Sequence, residues 1–85
     1  MVNIKIHDVV KGDDYYTITF SEGLLAYGII ISLIPDQPMY VEFMEFAKNM
    51  EDILVITEDE TPEEFNRLYT KYFTHIMEYI NSLAS

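Results

Sequence analysis

The C-terminal stretch from Thr61 to Leu83 carries the pattern of one long amphipathic helix. At about 100° per residue, its apolar side chains fall within one half-circle of the helical wheel, and the other half is polar. The apolar set is Phe65, Leu68, Tyr69, Tyr72, Phe73, Ile76, Met77, Tyr79, Ile80 and Leu83. Because a half-circle is wider than the seam of a two-stranded coiled coil, a broad surface such as one face of a sheet must cover this helix.

The sequence also predicts where this helix starts. Thr61 can accept hydrogen bonds from the free amides of the first turn, and Pro62 suits the first helical position. Glu64 lies where it can complete a capping box with Thr61. These three residues place the start of the helix directly after an acidic segment.

The first part of the chain has the pattern of three strands. Residues 2–6 alternate between apolar and polar side chains, and residues 11–14 have the composition of a turn. Residues 15–20 are β-branched or aromatic, which predicts the second strand of a hairpin. Residues 24–34 are almost continuously apolar, and their three consecutive isoleucines and Gly28 favour a central strand over a buried helix.

Residues 39–50 are compatible with two structures. On a helical wheel most of their apolar side chains share one side, with Val41 as the misfit, whereas strand-like alternation holds only from Met39 to Met44. We predict a helix over residues 39–50. Residues 53–57 then predict a short buried strand before the acidic segment.

These elements predict one compact α+β domain over residues 1–85. The expected order is βββαβα, with a small antiparallel sheet and the long C-terminal helix packed on one face of it. At 85 residues the chain is the size of a single domain, and its apolar content of 49% is enough for a core.

Composition indicates the cellular compartment of the protein and excludes some kinds of cross-link. There is no cysteine, which excludes disulfides and thiolate metal sites and fits a reducing compartment. The N-terminus lacks the basic and then apolar layout of a signal peptide, and the longest apolar run is far shorter than the ~20 residues of a membrane helix. We therefore expect a cytoplasmic protein without a membrane span.

Acidic residues dominate the charge of the chain. Fifteen carboxylates and five basic residues give a formal net charge of −10, which disfavours direct binding to nucleic acid. Seven of the carboxylates lie between positions 51 and 64, with no basic residue among them. They are Glu51, Asp52, Glu58, Asp59, Glu60, Glu63 and Glu64. The helix dipole accounts for the last two better than for the first five.

No residue pattern indicates an enzyme or a cofactor site. His75 and Glu78 stand three residues apart on the polar side of the last helix, where such pairs are common on solvated surfaces. The run Glu58-Asp59-Glu60 offers oxygen ligands but lacks the spacing of a calcium loop. Arg67, Lys71 and His75 form a basic row on the helix. We expect no catalytic residues, no metal and no cofactor.

The acidic segment and the tyrosines point to binding of another protein. Tyrosine is a frequent interface anchor; Tyr15 is expected on the outer side of its strand, and Tyr40 at the margin of its apolar arc. Together with the seven carboxylates they form the predicted partner-binding set. We expect a small acidic inhibitor that docks on a basic protein surface, as a DNA mimic of the viral anti-defence or anti-CRISPR type would.

Two other functions fit the same sequence. One is an immunity protein or antitoxin that covers the basic surface of a toxin. The other is a structural or assembly subunit, in which the broad apolar arc of the last helix completes its burial in a homodimer.

Overall fold

One antiparallel sheet followed by one helix makes up the computed structural model, which describes residues 3–46 and 52–84. The strands are β1 (Lys5–Lys11), β2 (Tyr15–Glu22), β3 (Leu25–Ser32), β4 (Tyr40–Phe46) and β5 (Ile53–Ile56), and the helix is α1 (Pro62–Ala84). Each strand pairs with the next along the chain, so that β1 and β5 form the two edges. The α+β class, the antiparallel sheet and the long C-terminal helix are confirmed.

The predicted order βββαβα is wrong, because the observed order is βββββα. The helix predicted over residues 39–50 is replaced by β4 over its described part, and residues 47–50 lie outside the described residues. Val41 and Phe43 are buried against the core, while Met44 lies on the opposite face of the sheet. Pairing with β3 along the whole of β4 overrides the helical pattern.

The apolar arc of α1 is covered by the protein's own sheet. Its buried members are Phe65, Leu68, Tyr72, Ile76 and Ile80, and the sheet contributes Ile18, Phe20, Tyr27, Ile29, Ile31, Val41, Phe43 and Ile56. The ring of Phe65 lies 5.7 Å from that of Phe43 on β4, and the ring of Tyr72 lies 5.2 Å from that of Phe20 on β2. The helix thus crosses the sheet from β4 to β2 and buries the middle of its arc there, whereas Tyr79 and Leu83 near its C-terminus are 36% and 55% exposed.

The other face of the sheet has no covering layer among residues 3–46 and 52–84. Its central strand is β3, as predicted, but only one face of β3 packs on the helix. On the open face, Met44 and Phe46 lie over Gly28, where an added Cβ would approach the Met44 Cε atom to 2.9 Å. In the described part of the chain, no helix is both long and apolar enough to span a membrane.

A polar contact fixes the helix to the far end of β2. The Tyr72 hydroxyl donates a hydrogen bond of 2.6 Å to Glu22, and Lys71 forms an ion pair of 2.9 Å with the same carboxylate. The hydrogen bond from Tyr72, followed by that from Lys71, lowers the pKa of Glu22. Burial and the bond to Glu22 raise the pKa of Tyr72 far above its ordinary value.

Truncation of a core residue of α1 tests the helix-on-sheet packing. Leu68→Ala should lower the free energy of unfolding by about 2–5 kcal/mol, because Leu68 is fully buried beneath the helix. Leu83→Ala, on the same helix but 55% exposed, is the matched control and should change it by less than about 1 kcal/mol. Urea unfolding measures both, and equal losses would contradict this packing.

The contact at Glu22 predicts a pH-dependent effect on stability. Because folding lowers the pKa of Glu22, its carboxylate stabilises the fold above its ordinary pKa of 4.5, and this contribution disappears as pH falls through the lowered value. Glu22→Gln should therefore lower the urea midpoint at neutral pH and have little effect in strong acid. The control is Glu78→Gln, an exposed position on α1. A loss that is constant with pH would contradict the ion pair.

Candidate functional site

The up-and-down order of the strands brings distant acidic residues to one end of the sheet. In an antiparallel meander every second connection lies at the same end. The β1–β2 turn, the β3–β4 loop and the β5–α1 loop therefore share one end, where the Leu33 amide also donates a 2.6 Å hydrogen bond to the Asp14 carbonyl. We call these three connections, together with the first turn of α1, the acidic end.

Eight of the fifteen carboxylates lie at the acidic end, and all eight are exposed. They are Asp13, Asp14, Asp36, Glu58, Asp59, Glu60, Glu63 and Glu64. Five were in the predicted set. Asp13, Asp14 and Asp36 were not, because they are far apart in sequence and only the strand topology brings them to this end. A correct prediction of the strand order would have placed these three residues at this end.

One described member of the predicted set, Asp52, does not join the acidic end. Asp52 is exposed just before β5, at the opposite end of that strand from Glu58. The four residues of β5 separate the two positions by about 13 Å or more. Glu51 lies outside the described residues. The acidic segment that is continuous in sequence is therefore divided by β5.

Tyr15 and Tyr40 lie in one row across the acidic end. Ser32 on β3 is paired with Tyr15 on one side and with Tyr40 on the other, so the two tyrosines are two strand spacings, about 10 Å, apart. They are 44% and 48% exposed. The Tyr15 ring lies over Gly12, where an added Cβ would come within 2.0 Å of the ring. The absence of a side chain at position 12 thus leaves the space that the Tyr15 ring occupies.

Tyr40 is surrounded by carboxylates from two elements. Its hydroxyl donates a hydrogen bond of 2.9 Å to Glu42, which sequence reasoning had not singled out. This bond, with burial and the negative charges of Glu42, Asp59 and Glu60, raises the pKa of Tyr40 above its ordinary value of 10.0. The β5–α1 loop lies near Tyr40, since Glu58 and Asp59 line the same cleft as Tyr40.

Hydrogen bonds between Thr57 and Thr61 close the β5–α1 loop. The Thr61 hydroxyl accepts a 3.0 Å bond from the Thr57 amide and donates one of 3.1 Å to the Thr57 carbonyl, while the Thr57 hydroxyl accepts a 3.0 Å bond from the Glu60 amide. The Thr61 amide also donates to the Thr57 carbonyl at 3.0 Å. This closure fixes the backbone that carries the exposed side chains of residues 58–60.

Glu64 does not form the predicted capping box with Thr61. Glu64 instead forms an ion pair of 2.8 Å with Arg67, which lowers the pKa of Glu64. Arg67 and Lys71, two members of the predicted basic row, are thus engaged by Glu64 and Glu22. His75, the third member, is exposed.

Asp36 contributes its carboxylate from an unusual backbone conformation. Its φ of 65° lies in the left-handed region, where glycine and asparagine are favoured over most residues. Pro35 precedes it, and the Gln37 amide donates a 3.2 Å bond to the Ile34 carbonyl, as in a type II turn. The turn thus carries a carboxylate at the position where glycine is the usual residue.

A cleft of about 630 Å³ opens between β4, the β5–α1 loop and the first turns of α1. Apolar and aromatic residues share its lining with two carboxylates. The lining residues are Met39, Tyr40, Val41, Thr57, Glu58, Asp59, Pro62, Phe65, Asn66 and Tyr69. Such a cleft suits a long cationic side chain, whose methylene groups pack on apolar walls while its charge stays beside the acids.

Potential metal ligands and the His75–Glu78 pair were located in the described residues. No group of three or more His, Asp or Glu side chains within residues 3–46 and 52–84 is arranged to hold a metal ion. Glu78, like His75, is exposed on the polar side of α1. The acidic end thus groups exposed carboxylates with the half-exposed rings of Tyr15 and Tyr40.

Comparison of the chain with protein-family models gives no match, and comparisons with curated proteins and with solved structures give none either.

Titration of Tyr40 tests whether the acidic end is assembled as described. Removing the charge of Glu42 by Glu42→Gln should lower the pKa of Tyr40, since the carboxylate disfavours the phenolate. Asp59→Asn with Glu60→Gln should lower it by a smaller amount. NMR of ring-labelled tyrosine, assigned with Tyr40→Phe, measures this pKa.

Asp52→Asn is the control for that titration, because Asp52 lies at the other end of β5. It should leave the pKa of Tyr40 unchanged. If Asp52→Asn and the change at Asp59 and Glu60 had equal effects, the carboxylates would not be grouped as the structure has them.

Proposed function

We propose that this protein is a small acidic inhibitor that docks through its acidic end on a basic surface of another protein. The observation that carries the proposal is the grouping of eight exposed carboxylates with Tyr15 and Tyr40 at one end of the sheet. Complementary charge steers the encounter, and the tyrosine rings supply contact area from which water is displaced. The protein acts by occupying a surface, without chemistry of its own.

Rigidity of the acidic end supports this proposal. The Thr57–Thr61 hydrogen bonds fix the β5–α1 loop, which carries three of the carboxylates. A preorganised surface loses less conformational entropy on binding than a mobile acidic tail of equal charge. The chain thus pairs crowded charge with fixed geometry, as an inhibitor of a defined partner requires.

The dimensions favour a nucleic-acid-binding groove as the basic target. Five strands span about 19 Å, which is more than half of one helical turn of B-DNA at ~34 Å. Carboxylates distributed over this width can occupy phosphate sites in such a groove. The protein would then act as a DNA mimic, of the kind that viruses direct against nucleases and CRISPR enzymes. A dedicated toxin with a basic active-site surface is the alternative target.

We propose that this encounter takes place in the cytoplasm, since a chain without cysteine forms no disulfides and needs no oxidising compartment to fold.

Capture from a lysate of the source cells, with a matched pair of charge variants, tests the proposal. Asp59→Lys with Glu60→Lys reverses two charges at the acidic end. Asp8→Lys with Glu78→Lys makes the same change in net charge at exposed positions elsewhere. The first variant should lose the proteins that the wild type retains, and the second should keep them. Mass spectrometry identifies these proteins.

The purified partner then gives the quantitative result. At about 50 mM salt the acidic-end variant should bind at least about tenfold more weakly than the control variant, and the difference should shrink near 500 mM. Release of the partner by duplex DNA would support the DNA mimic, whereas capture of one toxin that DNA does not release would support immunity. Equal retention by both variants would contradict the proposal.

A further inference from the structure

The two edges of the sheet are protected to very different degrees. Proteins commonly shield edge strands with charged side chains or bulges, because an exposed edge can pair with another chain. β1 carries both devices, with Lys5, Asp8 and Lys11 along the strand and a shift of register between Ile6 and Asp8. β5, with the sequence Ile-Leu-Val-Ile, carries neither, and its register with β4 is regular.

The side chains of β5 are unusually open for an apolar strand. Ile53, Leu54 and Val55 are 54%, 55% and 45% exposed, and no strand among residues 3–46 and 52–84 pairs with the outer edge of β5. Ile53 and Val55 are in register with Phe46 and Met44, so these four side chains form an apolar strip on the open face. A further strand beside β5 would extend this strip by cross-strand pairing.

Charge at both ends of β5 identifies what can pair with it. Asp52 precedes the strand, and Glu58, Asp59 and Glu60 follow it. If two copies paired antiparallel through β5, Asp52 of each copy would lie near Glu58 of the other. Repulsion between like charges at both ends of the strand pair opposes such a dimer of this highly acidic chain. A partner strand with lysine or arginine at both ends meets complementary charge instead.

We propose that β5 is a docking edge, to which an extended segment of the partner adds as a sixth strand. The segment has apolar side chains at alternate positions, which continue the strip of Ile53 and Val55, and basic residues at its ends, which face Asp52 and Glu58. Main-chain hydrogen bonds supply affinity, and the flanking charges set the choice of partner. This proposal rests on the proposed function only for the basic character of the partner.

Synthetic peptides provide the direct probe. The test peptide is Lys-Lys-Val-Thr-Val-Thr-Val-Lys-Lys, and a control peptide of the same sequence carries N-methyl groups on alternate amides. Strand addition requires free amides, whereas charge attraction does not. The test peptide should bind and slow hydrogen exchange of the β5 amides, and the N-methylated peptide should bind at least about tenfold more weakly.

A pair of matched variants locates the binding edge. Val55→Lys places a cation on β5, and Val10→Lys places one on β1, where the valine is 49% exposed on the same open face. Val55→Lys should weaken binding of the test peptide at least about tenfold, and Val10→Lys should not. Circular dichroism confirms that both variants are folded.

Four outcomes would overturn strand addition. These are no binding of the test peptide, equal binding of the N-methylated peptide, no effect of Val55→Lys, and a dimer in sedimentation experiments that Val55→Lys abolishes. The first three leave the proposed function intact, since the acidic end can attract a basic surface without strand pairing. A second control peptide carries glutamine in place of each lysine. If it binds as tightly as the test peptide, strand addition at β5 would stand, but the proposed selection of the partner by charge would be contradicted.

Discussion

Alternation of strand direction is the constraint on which the site depends. Because each strand of the meander reverses the one before it, three connections that are distant in sequence meet at one end of the sheet. That end receives Asp13 and Asp14 from one turn, Asp36 from another and the residues after β5 from a third. The helix then covers one face of the sheet and holds the strands in register through Tyr72 and its neighbours. The charge pattern is therefore a consequence of topology.

Carboxylates have different roles near the start and near the middle of the helix. Near its start, Thr61 and Thr57 secure a loop whose side chains are almost all acidic and exposed. Further along, Tyr72 and Lys71 share a single carboxylate, Glu22, at the far end of β2. Glu22 thus contributes to the packing of the helix, whereas the carboxylates of residues 58–60 are exposed on a closed loop.

Much of the fold could be predicted from periodicity. The long helix, β2 and β3 follow from patterns that are local in sequence. β1 lies at Lys5–Lys11 and not at residues 2–6, and β5 forms where predicted but is not a buried strand, because three of its four residues are exposed at the sheet edge. The segment at β4 was misassigned because its two faces are both apolar in part: Val41 and Phe43 face the helix, while Met44 lies over Gly28 on the open face. Apolar side chains on both faces of a strand remove the alternation of apolar and polar residues. In β4 the remaining apolar positions then also fit a helical pattern.

The candidate site was predictable only where it is contiguous. Residues 58–60 with Glu63 and Glu64 were identified from their density, and Tyr15 and Tyr40 from their residue type. Asp13, Asp14 and Asp36 required the strand order, and Glu42 required its hydrogen bond to Tyr40. Asp52 was grouped with the others by sequence and separated from them by the length of β5.

Carboxylate footprinting of the protein in complex with its captured partner tests the central claim most directly. Labelling with a carbodiimide and an amine, read by mass spectrometry, reports the accessibility of each carboxylate. The structure predicts that the partner protects Asp36, Asp59 and Glu60, while Asp8 and Glu78 remain as reactive as in the free protein. Protection spread evenly over all carboxylates, or confined to Asp8 and Glu78, would contradict docking through the acidic end.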